Sequence, residues 1–295
     1  MIIELNTRNF LLLALVVVAV GFTVYALTHF RKSTDRNTTP WLMAVGFITD
    51  FLDTLGIGSY ATTTALWRIK RSVDDRMLPG TLNVGHAWPT FAQAAIFLVS
   101  VSVDDVTLLL LIGSAVVGAW FGAGISVRLS RNKVRLFVGG GLAVAAILML
   151  AGMFQTFPVG GESLGLSGWR LAVGAVACAV FGGLMTLGIG AYAPIMITVS
   201  LLGMSPSGAF PIMMGACAFL MPAANIRFLK NQAYSTSAAL GLTLGGVPGV
   251  LVAAWVVKSI PLQLLKILVV VVASYTSFNL IREAARGGQG GAIDE

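Results

Sequence analysis

The sequence predicts an all-α polytopic membrane protein made of two inverted repeats. Each repeat is a re-entrant Gly-rich helical hairpin plus three spanning helices, and one additional N-terminal helix precedes them. Three observations carry this. The chain is 57% hydrophobic and 11% charged, with mean hydropathy +0.88, where a soluble domain carries about 25% charged residues. The string Thr54-Leu-Gly-Ile-Gly-Ser-Tyr-Ala61 recurs 132 positions later as Thr186-Leu-Gly-Ile-Gly-Ala-Tyr-Ala193, with seven of eight residues identical. Finally, the Lys and Arg residues segregate to one face only when both strings sit in hairpins that return to the side they entered from.

The elements follow in order. Apolar segments fall at 10–30, 41–66, 79–100, 105–127, 134–155, 169–200, 207–226, 236–257 and 262–281, each near or above the roughly 20 residues a span requires. They form a single transmembrane domain over 1–295, with the extra helix at 10–30, repeat 1 at 41–155 and repeat 2 at 169–281. Segment 10–30 is long for a signal peptide and lacks a small-residue cleavage site, so it reads as a membrane helix. Threaded as nine plain spans, the chain places ten basic residues on one face and eight on the other. With 41–66 and 169–200 as re-entrant hairpins, fifteen share one face and only Arg8, Arg170 and Lys258 lie opposite, Lys266 being within the last helix. The positive-inside rule favours the second threading; nine plain spans remain the alternative. Trp88-Pro89 and Met221-Pro222, 133 positions apart, extend the duplication as matched kinks.

The net charge of +7 sits at the ends of apolar segments, where it sets topology, so nucleic acid is not an expected partner. Cys178 and Cys217 read as buried structural thiols, not a disulfide or a metal site. No cofactor and no metal are expected. The lipid bilayer and a small anionic substrate are the expected partners, and a homodimer is left open.

The motif indicates where that substrate binds. Gly56, Gly58, Gly188 and Gly190 remove side chains where two half-helices join, so backbone can approach backbone or ligand. Unwound backbone inside a bilayer must line an enclosed or wet cavity. The half-helices starting after each Gly-Ile-Gly direct free N–H groups and a positive dipole end at an anion. Thr54, Ser59, Tyr60, Thr62, Thr63 and Thr64 of copy one, and Thr186 and Tyr192 of copy two, add hydroxyls without a buried counter-charge. The alternative is that the glycines serve close helix packing alone.

Asp50 and Asp53, three apart and so on one helical face, correspond to Gly182 and Met185 in copy two, so the charge is not duplicated. Intramembrane carboxylates are functional candidates. Together with His86, a residue type that can relay protons, they are candidates for proton coupling. The structural alternatives are a cap by Asp53 for a half-helix starting near Thr54, a vestibule position for Asp50, and a packing role for His86. Arg227 reads as a topology charge.

The duplicated motif, the three-span modules and the stretch Gly46-Phe-Ile-Thr-Asp-Phe-Leu-Asp-Thr-Leu-Gly-Ile-Gly58 resemble the sulfite exporter TauE/SafE family over residues 40–285. The continuation Val73-Asp-Asp-Arg-Met-Leu-Pro-Gly-Thr-Leu-Asn-Val-Gly-His86 is similar to one bacterial subgroup. The resemblance implies a secondary transporter (an exporter) of small sulfur-containing anions such as sulfite or organosulfonates, in the plasma membrane of the bacterial inner-membrane type. Broader family members carry a glycine cluster followed by proline; here Tyr60 and Tyr192 follow the motif, and proline occurs only in copy two, as Pro194. An anion channel, or a permease for another small anion, remains the alternative, and a scaffold subunit is a third class. No His-Glu-x-x-His motif and no Ser/His/Asp spacing points to an enzyme.

Overall fold

The computed structural model describes residues 7–55, 57–153 and 161–256, and beyond them 274, 277, 278, 281, 282, 284 and 285. Gly56, Lys258, Lys266 and most of the predicted segment 262–281 lie outside the described residues. The chain is helical: α1 Thr7–Phe30, α2 Pro40–Thr54, α3 Ser59–Lys70, a single 3-10 turn Asp75–Met77, α4 Leu78–Gly85, α5 Ala87–Ser100, α6 Asp105–Ser126, α7 Arg131–Met153, α8 Gly168–Met185, α9 Tyr192–Leu201, α10 Pro206–Lys230 and α11 Thr236–Val256. Among the described residues the one β feature is an isolated bridge between Ser163 and Met204. Among the described residues, five helices are long and apolar enough to cross a membrane: α1, α6, α8, the Gly208–Lys230 stretch of α10, and Thr236–Trp255 of α11. The predicted span 79–100 is two helices, broken at His86. Its counterpart α10 continues unbroken through Pro211 and Pro222.

Local chemistry sets where α2 and α3 begin and why they fold back. Thr39 caps α2 by accepting from the Leu42 N–H at 3.3 Å, and Pro40 occupies the first turn, where its missing N–H costs nothing. Four residues after α2 ends, Gly58 takes φ 83° and ψ 128°, a conformation that suits glycine, and α3 begins. The chain then doubles back. Trp41, at the start of α2, donates from Nε1 to Ser72 Oγ at 3.1 Å just past the end of α3, and Lys70 Nζ lies 4.0 Å over the Trp41 ring. The second copy repeats the manoeuvre. Gly188 takes φ 90°, and after α9 the Ser205 N–H donates to the Ser163 carbonyl at 2.8 Å, ahead of α8.

Helix packing crosses between the two halves of the chain. Helix α2 runs against α11, and α8 against α6, the two most extensive helix contacts among the described residues. Both seams are built on small residues. A Cβ at Gly245 would run into the Met43 carbonyl, and one at Gly46 would lie 2.7 Å from the Leu242 backbone. On the other seam a Cβ at Gly118 would strike the Ala179 carbonyl, and one at Gly182 the Ala115 carbonyl. Gly241, Gly245 and Gly249 recur every four residues, so α11 presents one flat face, the device by which membrane helices approach without a hydrophobic driving force.

The outside of the bundle is apolar. Leu13, Val16, Val17, Val20 and Val24 of α1, and Trp169, Val173, Val176 and Val180 of α8, are exposed, while α1 docks through Leu11, Leu15, Phe22 and Ala26. Trp88 Nε1 ties α1 in by donating to Thr23 Oγ1 at 2.9 Å. Such large exposed apolar faces are incompatible with water and fit lipid.

Loops gather at two ends. At one, Arg131 pairs with Asp74 at 2.6 Å and Arg135 with Asp75 at 2.7 Å, Ser237 Oγ donates to Asp35 at 2.8 Å, and Phe30 packs on Tyr234. At the other, Thr7 Oγ1 donates to Asp105 at 2.7 Å and the Asp104 N–H to the Leu164 carbonyl at 2.9 Å.

Candidate functional site

The two Gly-Ile-Gly breaks meet at one cavity of ≈ 80 Å³, room for a few waters or one compact anion. Gly58, Ser59 and Tyr60 line it from copy one, and Gly188, Gly190 and Tyr192 from copy two; Asp53, Thr90, Gln93 and the α10 residues Met214, Cys217 and Met221 complete the wall. Helices α3 and α9 both begin at it, so two half-helix N-termini share the space. Tyr60 and Tyr192 are 3% and 7% exposed, and neither hydroxyl has a protein partner. A buried unpaired hydroxyl is costly, and both side chains line the same cavity. Gly190 lies where a Cβ would be 3.7 Å from Tyr60 Cβ, bringing the two copies into direct contact.

The two half-helix starts are not equivalent. The Asp53 carboxylate accepts from the Ser59 N–H at 2.7 Å and from Gln93 Nε2 at 3.0 Å. Asp53 is thus a cap, but for α3, six residues on; the expected half-helix near Thr54 does not exist, because Thr54 is the last residue of α2. In copy two the position of Asp53 is Met185 and the residue before α9 is Ala191, which offers no side-chain cap. The positive end of α9 is therefore the one without a built-in anion.

Behind the cavity lies a second polar layer. Asp50 Oδ1 faces His86 Nδ1 at 2.8 Å, and His86 Nε2 faces Thr63 Oγ1 at 3.0 Å. All three side chains are fully buried. With Asp50 ionised, Nδ1 carries the proton of its bond; Nε2 then accepts from Thr63 in the neutral ring and donates to it in the imidazolium. Tyr60 stacks on His86, ring centroids 5.7 Å apart, and so separates this layer from the cavity. The layers are bridged by Thr54, whose hydroxyl donates to the Asp50 carbonyl at 2.8 Å and accepts from Gln93 at 3.0 Å.

Not every residue singled out from sequence reaches the cavity. Thr62 turns back to the Ser59 carbonyl at 2.9 Å, and Thr186 to the Gly183 carbonyl at 2.7 Å. Thr54, Thr62, Thr63, Thr186, Asp50 and His86 are buried beside the wall, not on it. Gln93 was missed, although a glutamine inside an otherwise apolar helix is itself a signal. Cys217, read as a structural thiol, lines the cavity. Cys178 is buried and free. Arg227 lies over the Trp120 ring at 4.8 Å, away from the cavity.

With this geometry in place, comparison with known proteins is decisive for half the chain. The profile of the family described as sulfite exporter TauE/SafE matches residues 3–149. The chain belongs to the sulfite exporter TauE/SafE family. No curated protein and no solved structure matches it. As a TauE/SafE protein it is a multi-pass membrane transporter, with lipid around its apolar helices and a small molecule as cargo. The matched residues contain α1 through most of α7, including Asp50, Asp53, the first Gly-Ile-Gly and His86. The second break, with Gly188, Gly190 and Tyr192, lies beyond them and enters through the internal duplication.

Proposed function

We propose that this TauE/SafE protein is a secondary transporter that exports a small sulfur-containing anion, such as sulfite or an organosulfonate, across the plasma membrane, with a proton accompanying it. The observation that carries this is the cavity shared by both Gly-Ile-Gly breaks and lined by Tyr60 and Tyr192, whose buried hydroxyls have no protein partner. Among the described residues no Lys or Arg lines it, so the donors to an anion are neutral: two hydroxyls, Ser59 and the N–H groups opening α9.

Asp53 gives the coupling its physical reason. A carboxylate and an anion about 5 Å apart repel by roughly 3 kcal/mol at an effective dielectric of 20. A proton on Asp53 removes that repulsion, so anion and proton enter together. Asp50, His86 and Thr63 form a buried hydrogen-bonded line behind the wall, and Thr54, held between the Asp50 main-chain carbonyl and Gln93, packs this line against Asp53. Thr63 does not line the cavity, which argues against reading the Asp50–His86–Thr63 line as a nucleophilic triad.

The loop clusters support an orientation. The end holding Arg31, Arg71, Arg76, Arg131 and Arg135 is cytoplasmic by the positive-inside rule. The α2–α3 pair then enters from the cytoplasm and returns there, while α8–α9 enters and returns outside, the arrangement of inverted repeats with a midplane site.

Reconstituted protein loaded with sulfite tests the proposal. Efflux is expected to saturate, to acidify the receiving side, and to weaken about tenfold or more in Tyr60→Phe and Tyr192→Phe, each removing one donor. Wild-type vesicles that release no sulfite, methanesulfonate or thiosulfate faster than protein-free ones would rule the proposal out. Cysteines placed at Ser33 and Glu162 and labelled from outside in intact cells check the orientation: only the latter is expected to react.

A further inference from the structure

The cavity has a second wall with different chemistry. Met214, Cys217 and Met221 stand at i, i+3 and i+7 of α10, on one helical face, and Met185, the last residue of α8, meets them: Cys217 Sγ donates to Met185 Sδ at 3.7 Å. All four are buried and all line the cavity. The oxygen and nitrogen groups (Asp53, Ser59, Tyr60, Thr90, Gln93 and Tyr192) come from α2, α3, α5 and α9. Around one space of ≈ 80 Å³, the sulfur-bearing residues thus come from α8 and α10 and the oxygen and nitrogen groups from the other helices.

This asymmetry restricts the cargo. An anion bearing oxygens at every vertex, as sulfate does, would turn at least one oxygen toward thioethers, which offer it no proton, after stripping it of water. An anion that ends in a bare sulfur holds a larger, more diffuse charge there, loses less hydration, and meets polarizable neighbours. Resting on the anion-transport reading above, we infer that the sulfur wall selects a thiosulfate-type anion, oxygens held by the tyrosine side and the terminal sulfur seated against Met185, Met214, Cys217 and Met221. Residues of apolar size alone would accept a methyl group equally well, so the prediction separates sulfur from mere apolarity.

The experiment measures binding to the purified full chain in nanodiscs, by calorimetry and thermal shift, with thiosulfate, methanesulfonate and sulfate. Thiosulfate is expected to bind about tenfold or more tightly than either competitor, a discrimination typical of one poorly matched group. In the Met214→Leu/Met221→Leu protein, which keeps volume but removes two sulfurs, thiosulfate is expected to fall to the level of methanesulfonate. Selenomethionine-labelled protein supplies a readout without substitution: selenium resonances shift with thiosulfate and not with methanesulfonate. Equal binding of the three anions, or a thiosulfate preference that survives both Met→Leu changes and Cys217→Ala, overturns the sulfur wall while leaving anion transport standing. Binding of none overturns both. Stabilisation by Ag⁺ with no response to thiosulfate also overturns the inference, assigning the four sulfurs to a soft cation.

Discussion

His86 Nδ1 and an Asp50 oxygen lie 2.8 Å apart, with neither side chain exposed. Taking away one partner of such a pair strands the other in a low dielectric, at a cost of about 3–5 kcal/mol. Asp50→Ala and His86→Ala are each expected to destabilise the detergent-solubilised protein by about that amount, read by thermal or denaturant melts. Asp50→Asn, which still accepts from Nδ1, is expected to melt much closer to wild type yet lose the pH dependence of transport. Full transport with an unchanged pH profile in Asp50→Asn ends the case for Asp50 in coupling.

Gly246 of α11 is the reason Asp50 fits. A Cβ there would run into Asp50 Oδ2 and approach the Pro89 ring. Gly246→Ala is therefore expected to cost about 1–3 kcal/mol and to disturb the same pH profile from a different helix. In a double-mutant cycle with Asp50→Asn the two changes are expected to be non-additive. Strict additivity would place Gly246 outside the pair's environment.

The two small-residue seams make a matched prediction. Gly245→Ala and Gly118→Ala each push a methyl into a carbonyl across a seam and are expected to lower the melting temperature markedly. Gly113→Ala in α6 and Gly21→Ala in α1 meet nothing within 4 Å and are expected to be neutral or stabilising by up to about 1 kcal/mol, the helix-propensity gain. If all four behave alike, close seam packing is not what those glycines provide.

Asp104 caps α6 at the end of the molecule opposite the arginine cluster. The Thr107 N–H at 2.9 Å and the Thr107 hydroxyl at 2.8 Å both donate to it, holding its carboxyl below the usual carboxylate range. The folded value is the depressed one, so its stabilisation is complete above about pH 4 and is lost as pH falls through the folded value. Asp104→Ala is expected to lower stability by about 0.5–2 kcal/mol near neutrality, and its melting curve is expected to converge with wild type under acid conditions.

Much of the site was legible in sequence because glycine and ionisable residues are conspicuous in an apolar background. Gly58, Gly188, Tyr60, Tyr192, Asp50, Asp53 and His86 all stand out there, and all seven converge on one region. What escaped was anything apolar in type or set by long-range packing. Met185, Met214 and Met221 look like core filling until a cavity appears beside them. Thr62 and Thr186 look like ligands, but a helical hydroxyl readily satisfies itself on the preceding turn. The break of 79–100 at His86 was hidden by its match to α10, where the equivalent prolines leave the helix whole.

The seam between Met43 and Gly245 joins residues 202 positions apart in the chain. At a synthesis rate of about 5–20 residues per second, α2 is made roughly 10–40 s before α11 exists to receive it. During that interval a short helix carrying Asp50 lacks the Gly246 face that packs against it, while α6 can only await α8. Biogenesis of this protein is thus an exchange of arms between an early and a late half, and neither half is a finished object when it leaves the ribosome.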